Sequence, residues 1–152
     1  MKTLAREDCK AEIVRRLRSV RRDSPRRWGR MSPHQMVCHL SDGFRMATGE
    51  KRVTTATGPF QRTLLKWIVL YGPLRWPPGI PTSPEIDQRC DGTRPVEFAA
   101  DVAALEARLE AFAGRTGDSA WAIHPVFGRL SRAEWLRWAY LHADHHLRQF
   151  GA

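Results

Sequence analysis

The sequence predicts an all-α chain folded as a helical bundle, and three observations carry that expectation. Apolar residues recur at three- and four-residue spacing along the long stretches, two Ser-x-x-Gln/Glu capping boxes mark helix starts, and no stretch reads as a credible strand. The 152 residues, 42% of them hydrophobic and six of them tryptophan, suit one domain over residues 1–152 with a sizeable core.

The first helix is read over Leu4 to Val20. Cys9, Ile13, Leu17 and Val20 recur on one side, arginines fill the rest, and Asp23, Ser24 and Pro25 end it. Trp28, in the link that follows, is expected to anchor in the core. The second helix has the cleanest start: Ser32 is the N-cap, Pro33 takes the first helical position, Gln35 completes the capping box, and Met31 and Met36 stand at staple spacing. It runs to about Thr48, where Gly49 can supply the left-handed closing residue.

Residues 50 to 59 read as a loop, and Phe60 to Tyr71 as a short, very apolar third helix that should be largely buried. A proline-rich connection follows, long enough to be a functional cover or a crossover, with Trp76 holding it to the body. Pro95 opens the fourth helix, in which Phe98, Val102, Leu105, Leu109 and Phe112 keep the helical spacing and Gly114 supplies the stop. His124 precedes Pro125 and therefore sits in an extended loop, in a structural or rim role.

The last helix carries most of the chemistry. Ser131 and Glu134 form its capping box, with Leu130 and Trp135 at the staple positions. With Trp135 at roughly 0°, His142 falls at about 340° and His146 at about 20°, the middle of the apolar stripe, while His145 lies on the flank at about 280°. Arg137, Tyr140, Asp144 and Arg148 take the opposite side, which is expected to face solvent. Two imidazoles four residues apart are how a helix offers two nitrogens to one metal ion. The same pair is also what two partly buried histidines bonded to backbone or carboxylate would look like, so a third ligand is required. On the second helix, His39 lies at the border of the apolar face, with Gln35 and Asp42 one turn either side as candidates to orient its ring. His34 points the opposite way, which leaves His39 as the one that looks into the bundle.

The formal charge of +9 rests largely on arginine, with Arg15, Arg16, Arg18, Arg21, Arg22, Arg26, Arg27 and Arg30 crowding one early stretch. That stretch has no aromatic interleaving beyond Trp28, no recognition-helix pattern and no glycine-rich phosphate loop, so nucleic acid is not the expected partner. Cys9, Cys38 and Cys90 are odd in number with no CxxC spacing, which points to free thiols in packing roles. No apolar run approaches the length of a membrane span, and the N-terminal residues lack the apolar segment of a signal peptide, so a cytoplasmic protein is expected.

The segments WGRMSPHQMVCHLSDGFRMATGE, PPGIPTSPE and HPVFGRLSRAEWLRWAYLHADHHLRQFG together resemble domain-of-unknown-function family 1569 of the DinB-like superfamily. The likeness runs from Trp28 to Gly151, with the closing segment its most specific part. The resemblance implies a four-helix bundle, up-down-down-up, with a long crossover loop between the second and third core helices. It also implies a divalent metal ion held by His39, His142 and His146, the last two being the first and third histidines of the His-x-x-His-His ending. Zinc, nickel, iron and manganese all suit such a donor set, which leaves positions open for chemistry. Relatives in the superfamily include S-transferases that use low-molecular-weight bacterial thiols, so thiol transfer or hydrolysis on a small-molecule substrate is the expected activity. No residue is assignable as general base. The competing expectation is a non-catalytic basic helical scaffold, a homodimer among its forms, that binds an acidic partner and keeps a vestigial metal site.

Overall fold

The structure is a computed structural model that describes residues 1–55, 58–73, 75–116 and 121–152. Ala56 and Thr57 of the expected 50–59 loop and Leu74 of the proline-rich connection lie outside the described residues. Among the described residues the chain is all-helical, with five helices: α1 (Glu7–Ser19), α2 (Pro33–Ala47), α3 (Lys66–Tyr71), α4 (Phe98–Gly114) and α5 (Arg132–Gln149). A π turn, Gln61–Leu65, leads into α3, and a 3-10 turn, Pro84–Ile86, interrupts the proline-rich segment. The only extended pairing described is an isolated bridge between His124 and Gly128.

The four long helices pack in the cyclic order α1, α5, α2, α4, each against two others, with α3 lying on α5. The core between them is apolar and includes Ile13, Leu17, Met36, Leu105, Leu109, Phe112, Trp135 and Leu136. Both capping boxes are made: Ser32 and Gln35 exchange bonds at the start of α2, as do Ser131 and Glu134 at the start of α5. Gly49 closes α2 at a φ of 81°, a left-handed conformation that costs glycine nothing.

Several expectations are corrected. Helix α1 begins at Glu7 rather than Leu4, because the Leu4 N–H leaves the helix to bond the Leu136 carbonyl of α5 at 3.2 Å. It ends at Ser19, with Val20 already extended, before Asp23 is reached. Helix α4 begins at Phe98 rather than Pro95, since the Glu97 carboxylate caps the N–H groups of Ala99 and Ala100. Gly114 is its last helical residue and is not left-handed. Helix α3 is not largely buried: only Leu70 is fully enclosed, while Phe60, Leu64, Trp67, Ile68 and Tyr71 are exposed. A helix so short rests on α5 along one side, and an all-round apolar sequence must leave the other side outward.

The expected solvent face of α5 is covered by α1 and the N-terminal residues. Tyr140 is buried and its hydroxyl donates to Glu12, Arg16 donates to Asp144 at 2.7 Å, and Arg137 donates to the carbonyls of Leu70 and Lys2. Arg148 closes the same carboxylate from the next turn at 3.0 Å. Trp28 is half-buried rather than a core anchor; its indole lies under the Arg148 guanidinium and beside His145.

Asp42, fully enclosed on α2, fastens the proline-rich segment to the bundle. Its carboxylate accepts from Gln88 Nε2 at 3.0 Å, from Thr93 N at 2.8 Å and from Thr93 Oγ1 at 2.6 Å, with Lys51 and Arg45 supplying the balancing charge. Removing one partner of a buried charge network leaves the others unpaired and costs about 3 kcal/mol or more. Asp42→Ala is expected to lower stability by about 3 kcal/mol in urea denaturation, far beyond what loss of a surface carboxylate would do.

Candidate metal centre

Helix α2 supplies His39 and α5 supplies His142 and His146, and the structure brings these three together: one ligand-type atom of each lies within 4.8 Å of the others. His39 Nε2 and His142 Nε2 are 2.9 Å apart, and all three rings are buried. The three ring planes meet nearly edge to face, with centroids 4.6 to 4.9 Å apart.

The outward nitrogens are committed elsewhere, which decides the tautomers. His39 Nδ1 lies 2.8 Å from the Ile86 carbonyl, an acceptor only, so the proton sits on Nδ1 and Nε2 presents its lone pair. Gln149 Nε2 donates to the Trp28 carbonyl at 2.8 Å, which turns its Oε1 to His146 Nδ1 at 3.1 Å, so that ring too carries its proton on Nδ1. His142 stacks on Trp138, with centroids 4.7 Å apart. Opposite it stands Gly43, where an added Cβ would come within 3.1 Å of His142 Cε1; glycine on α2 makes room for the α5 imidazole.

Of the two residues expected to orient His39, neither touches it. Gln35 is spent in the capping box and Asp42 on the strap, so Asp42 acts on His39 only through its charge. The orienting groups are Ile86, Gln149 and Gly43. Gln149 was open to discovery in the sequence, three residues after His146 on the same face. The Ile86 carbonyl left no such sign, because a backbone group reached through a long irregular segment has no sequence pattern.

Burial holds all three imidazoles below the usual histidine range. His142 and His146 are pushed well below it, by burial first and then by neighbouring rings, while for His39 burial is partly offset by the Ile86 carbonyl and by Asp42 and Asp87. His145 is also buried, beside Trp28, Trp76 and His146, but it is not in the three-ligand group. His34 corrects a further expectation. It does look inward, into the α2/α4 seam, where its Nε2 meets Asp101 Oδ2 at 2.7 Å beside Cys38. There burial, then Asp101 and Asp42, push the Cys38 thiol up to about 12. Cys9 and Cys38 are buried as packing thiols, whereas Cys90 is exposed.

The three histidines stand in the wall of a cavity of about 580 Å³, lined for the most part by apolar groups including Leu65, Val69, Trp76, Phe127 and Trp138, with Arg75, Thr82, Ser83, His124 and His145 also in its wall. Trp76 does hold the connection to the body, donating to the Val69 carbonyl at 3.1 Å. A second depression of about 430 Å³, with Trp28, Arg30, Asp87 and Arg89 in its walls, meets the first at His145 and His146. None of the described helices is long and apolar enough to cross a membrane.

Fold and site together define a helical protein with a buried tri-histidine cluster opening on an apolar cavity. A family model described as "Protein of unknown function (DUF1569)" matches residues 3–152, and the chain belongs to that family. No curated protein and no solved structure matches it.

Histidines titrate near 6.5 when unfolded, and these titrate lower when folded; His124, buried without a charge partner, is held down to about 3. The unfolded chain therefore binds more protons below about pH 6.5, and stability is full above that value and falls as the pH drops through the window beneath it. The thermal midpoint is expected to decline between about pH 6.5 and 5, above the carboxylate range. His124→Asn should flatten the decline, as followed by circular dichroism.

Proposed function

We propose that this chain is a metal-dependent enzyme acting on a small molecule, with a divalent ion held by His39, His142 and His146. The observation that carries the reading is the commitment of Nδ1 on both His39 and His146 to fixed acceptors, Ile86 O and Gln149 Oε1, which leaves unprotonated nitrogens beside a cavity. Buried neutral rings bonded on their far sides are the donor set a borderline divalent cation takes, with zinc, nickel, iron and manganese as candidates. The DinB-like arrangement, a single domain over residues 1–152 with four helices running up-down-down-up and a long crossover between α2 and α4, is part of the same proposal. The cyclic packing of α1, α5, α2 and α4 and the long segment that Asp42 fastens support it.

When bound, the ion supplies Lewis acidity at open positions, enough to polarise an electrophile or to acidify a water or a thiol. The protein's own groups do the rest. Ile86 and Gln149 hold two ligand rings in one orientation, Trp138 and Gly43 set the plane of the third, and the apolar walls keep bulk water from the reacting groups. Thiol transfer from a low-molecular-weight thiol and hydrolysis are the two reactions this donor set serves. The depression beside His145 and His146, with Arg30 and Arg89 in its wall, favours thiol transfer by offering cationic groups to an anionic co-substrate.

The chain purified with zinc is expected to hold close to one ion per molecule by elemental analysis. His39→Ala and His142→Ala should lose it, and His145→Ala should largely keep it. Full retention in His39→Ala sinks the assignment. Zinc-loaded protein should also conjugate a monochlorobimane-type probe to a bacterial thiol faster than the metal-free form; equal rates across several thiols would move the reading to hydrolysis.

A further inference from the structure

Among the described residues one further group of side chains has the chemistry and spacing to hold a cation, and it lies in the α2/α4 seam. His34 and Cys38 stand four residues apart on α2, so they leave the helix on one face about a turn apart, and Asp101 meets them from the first turn of α4. Three donors converge on one oxygen. Asp101 Oδ2 accepts from His34 Nε2 at 2.7 Å, from the Val96 N–H at 3.1 Å and from the Cys38 thiol at 3.8 Å. One ligand-type atom of each of the three side chains lies within 4.8 Å of the other two. The Phe98 ring meets His34 edge to face at 5.3 Å and fixes the imidazole plane. Cys38 is enclosed, at 3% exposure, whereas the Asp101 side chain is 27% exposed, so the carboxylate is the side from which an ion can enter.

Three roles compete for such a group. A Cys-His-Asp relay for nucleophilic attack needs the imidazole against the sulfur, and here the carboxylate takes that place; an anion beside a thiol works against the thiolate. A plain clasp, with His34 bonded to Asp101, accounts for the imidazole and the carboxylate. It does not account for a thiol turned toward a carboxylate oxygen, where an alkyl group would fill the seam without an S–H to place. A divalent ion accounts for all three side chains. Zinc takes thiolate sulfur at about 2.3 Å and imidazole nitrogen or carboxylate oxygen at about 2.0 to 2.2 Å, so tetrahedral ligand atoms stand about 3.3 to 3.6 Å apart. The 2.7 and 3.8 Å separations found here lie on either side of that range, and ligation asks for side-chain shifts of about an ångström. The charges also balance, since one thiolate and one carboxylate neutralise the ion and a neutral unit is what the seam then encloses.

We propose that His34, Cys38 and Asp101 form a second cation site, separate from the tri-histidine cluster, that takes zinc or another thiol-seeking divalent ion. The ion replaces the two side-chain hydrogens directed at Asp101 Oδ2. The thiol proton is released to solvent, the His34 ring proton moves to Nδ1, and a water completes the tetrahedron at the exposed edge. The two sites fill in order. His39 and His146 already present bare nitrogens, whereas here a hydrogen bond must open and a proton must leave, so this site fills only when free metal is in excess. Without the ion the group is a hydrogen-bonded clasp with Cys38 packed against it. With the ion, α2 and α4 are tied together by metal bonds at the residue next to His39.

The test titrates the full metal-free chain with cobalt(II), which substitutes for zinc and absorbs in the near ultraviolet by sulfur-to-cobalt charge transfer only where a thiolate is bound. An ion held by three histidines gives no such band. The unaltered chain should show the band at the second equivalent, and His142→Ala, which loses the first site, should show it at the first. Cys90→Ser, which removes the exposed thiol, should keep the band. Cys38→Ser and Asp101→Ala should lose it at cobalt concentrations that saturate the unaltered chain. If those two variants fail to fold, the ¹¹³Cd resonance of the cadmium-loaded Cys90→Ser chain decides, because a cadmium ion bearing a thiolate resonates well downfield of one held by nitrogen and oxygen alone. No band up to a large excess of cobalt, a band that survives Cys38→Ser, or one that disappears with Cys90→Ser would each overturn the proposal. A band in a chain whose tri-histidine cluster holds no ion overturns the metal reading of that cluster and supports this one; an ion held there with no band at any excess does the reverse.

Discussion

Three imidazoles held neutral in one small volume are the constraint on which the rest of the structure depends. Charging His142 or His146 would bury a cation without a counter-ion, a cost that burial and neighbouring rings both raise. Neutral rings each carry one proton, and two of those protons are drawn outward, to Ile86 and to Gln149. The cluster therefore needs acceptors on its outer side as much as donors at its centre. Gln149 meets that need only because its own amide is turned by the Trp28 carbonyl, which ties the α1–α2 link to the last turn of α5.

The proline-rich segment is tied in by the same logic. Asp42 accepts from Gln88 and Thr93, and the stretch it pins carries the 3-10 turn that ends at Ile86. One buried carboxylate on α2 thus helps place the carbonyl that orients a histidine one turn earlier on the same helix. The effect is indirect and consistent with the absence of any bond between Asp42 and His39. It also explains why a segment with so little regular structure keeps a defined path, since its anchors are charged and enclosed.

Much of this arrangement was legible in the sequence where helical periodicity spoke. The angles along α5 separated His142 and His146 from His145, and the capping boxes placed the starts of α2 and α5 to the residue. The reading failed where a neighbouring element overrode local pattern. The side of α5 bearing Tyr140 and Asp144 looks solvent-facing by composition, yet α1 covers it with Glu12 and Arg16 as complementary polar groups. Apolar content promised a buried α3, but a helix of six residues after a π turn has one side to bury, and composition does not say which elements will reach it. The angle along α2 alone points His34 outward, whereas Asp101 on α4 supplies the partner that holds it in the seam.

The basic composition belongs to the same physical picture. Part of it is structural: Arg16 and Arg148 share Asp144, Arg18 pairs with Glu106, and Lys10 with Glu110, so several cations serve as clasps between helices. The remainder leaves the chain at +9. A positive field disfavours adding a proton anywhere in the molecule, so the net charge acts on the buried imidazoles in the same direction as their burial. Asp42 works against both, raising the proton affinity of His39. Its Lys51 and Arg45 partners offset that influence, which is how a carboxylate can sit one turn from a ligand-type histidine without making it a cation.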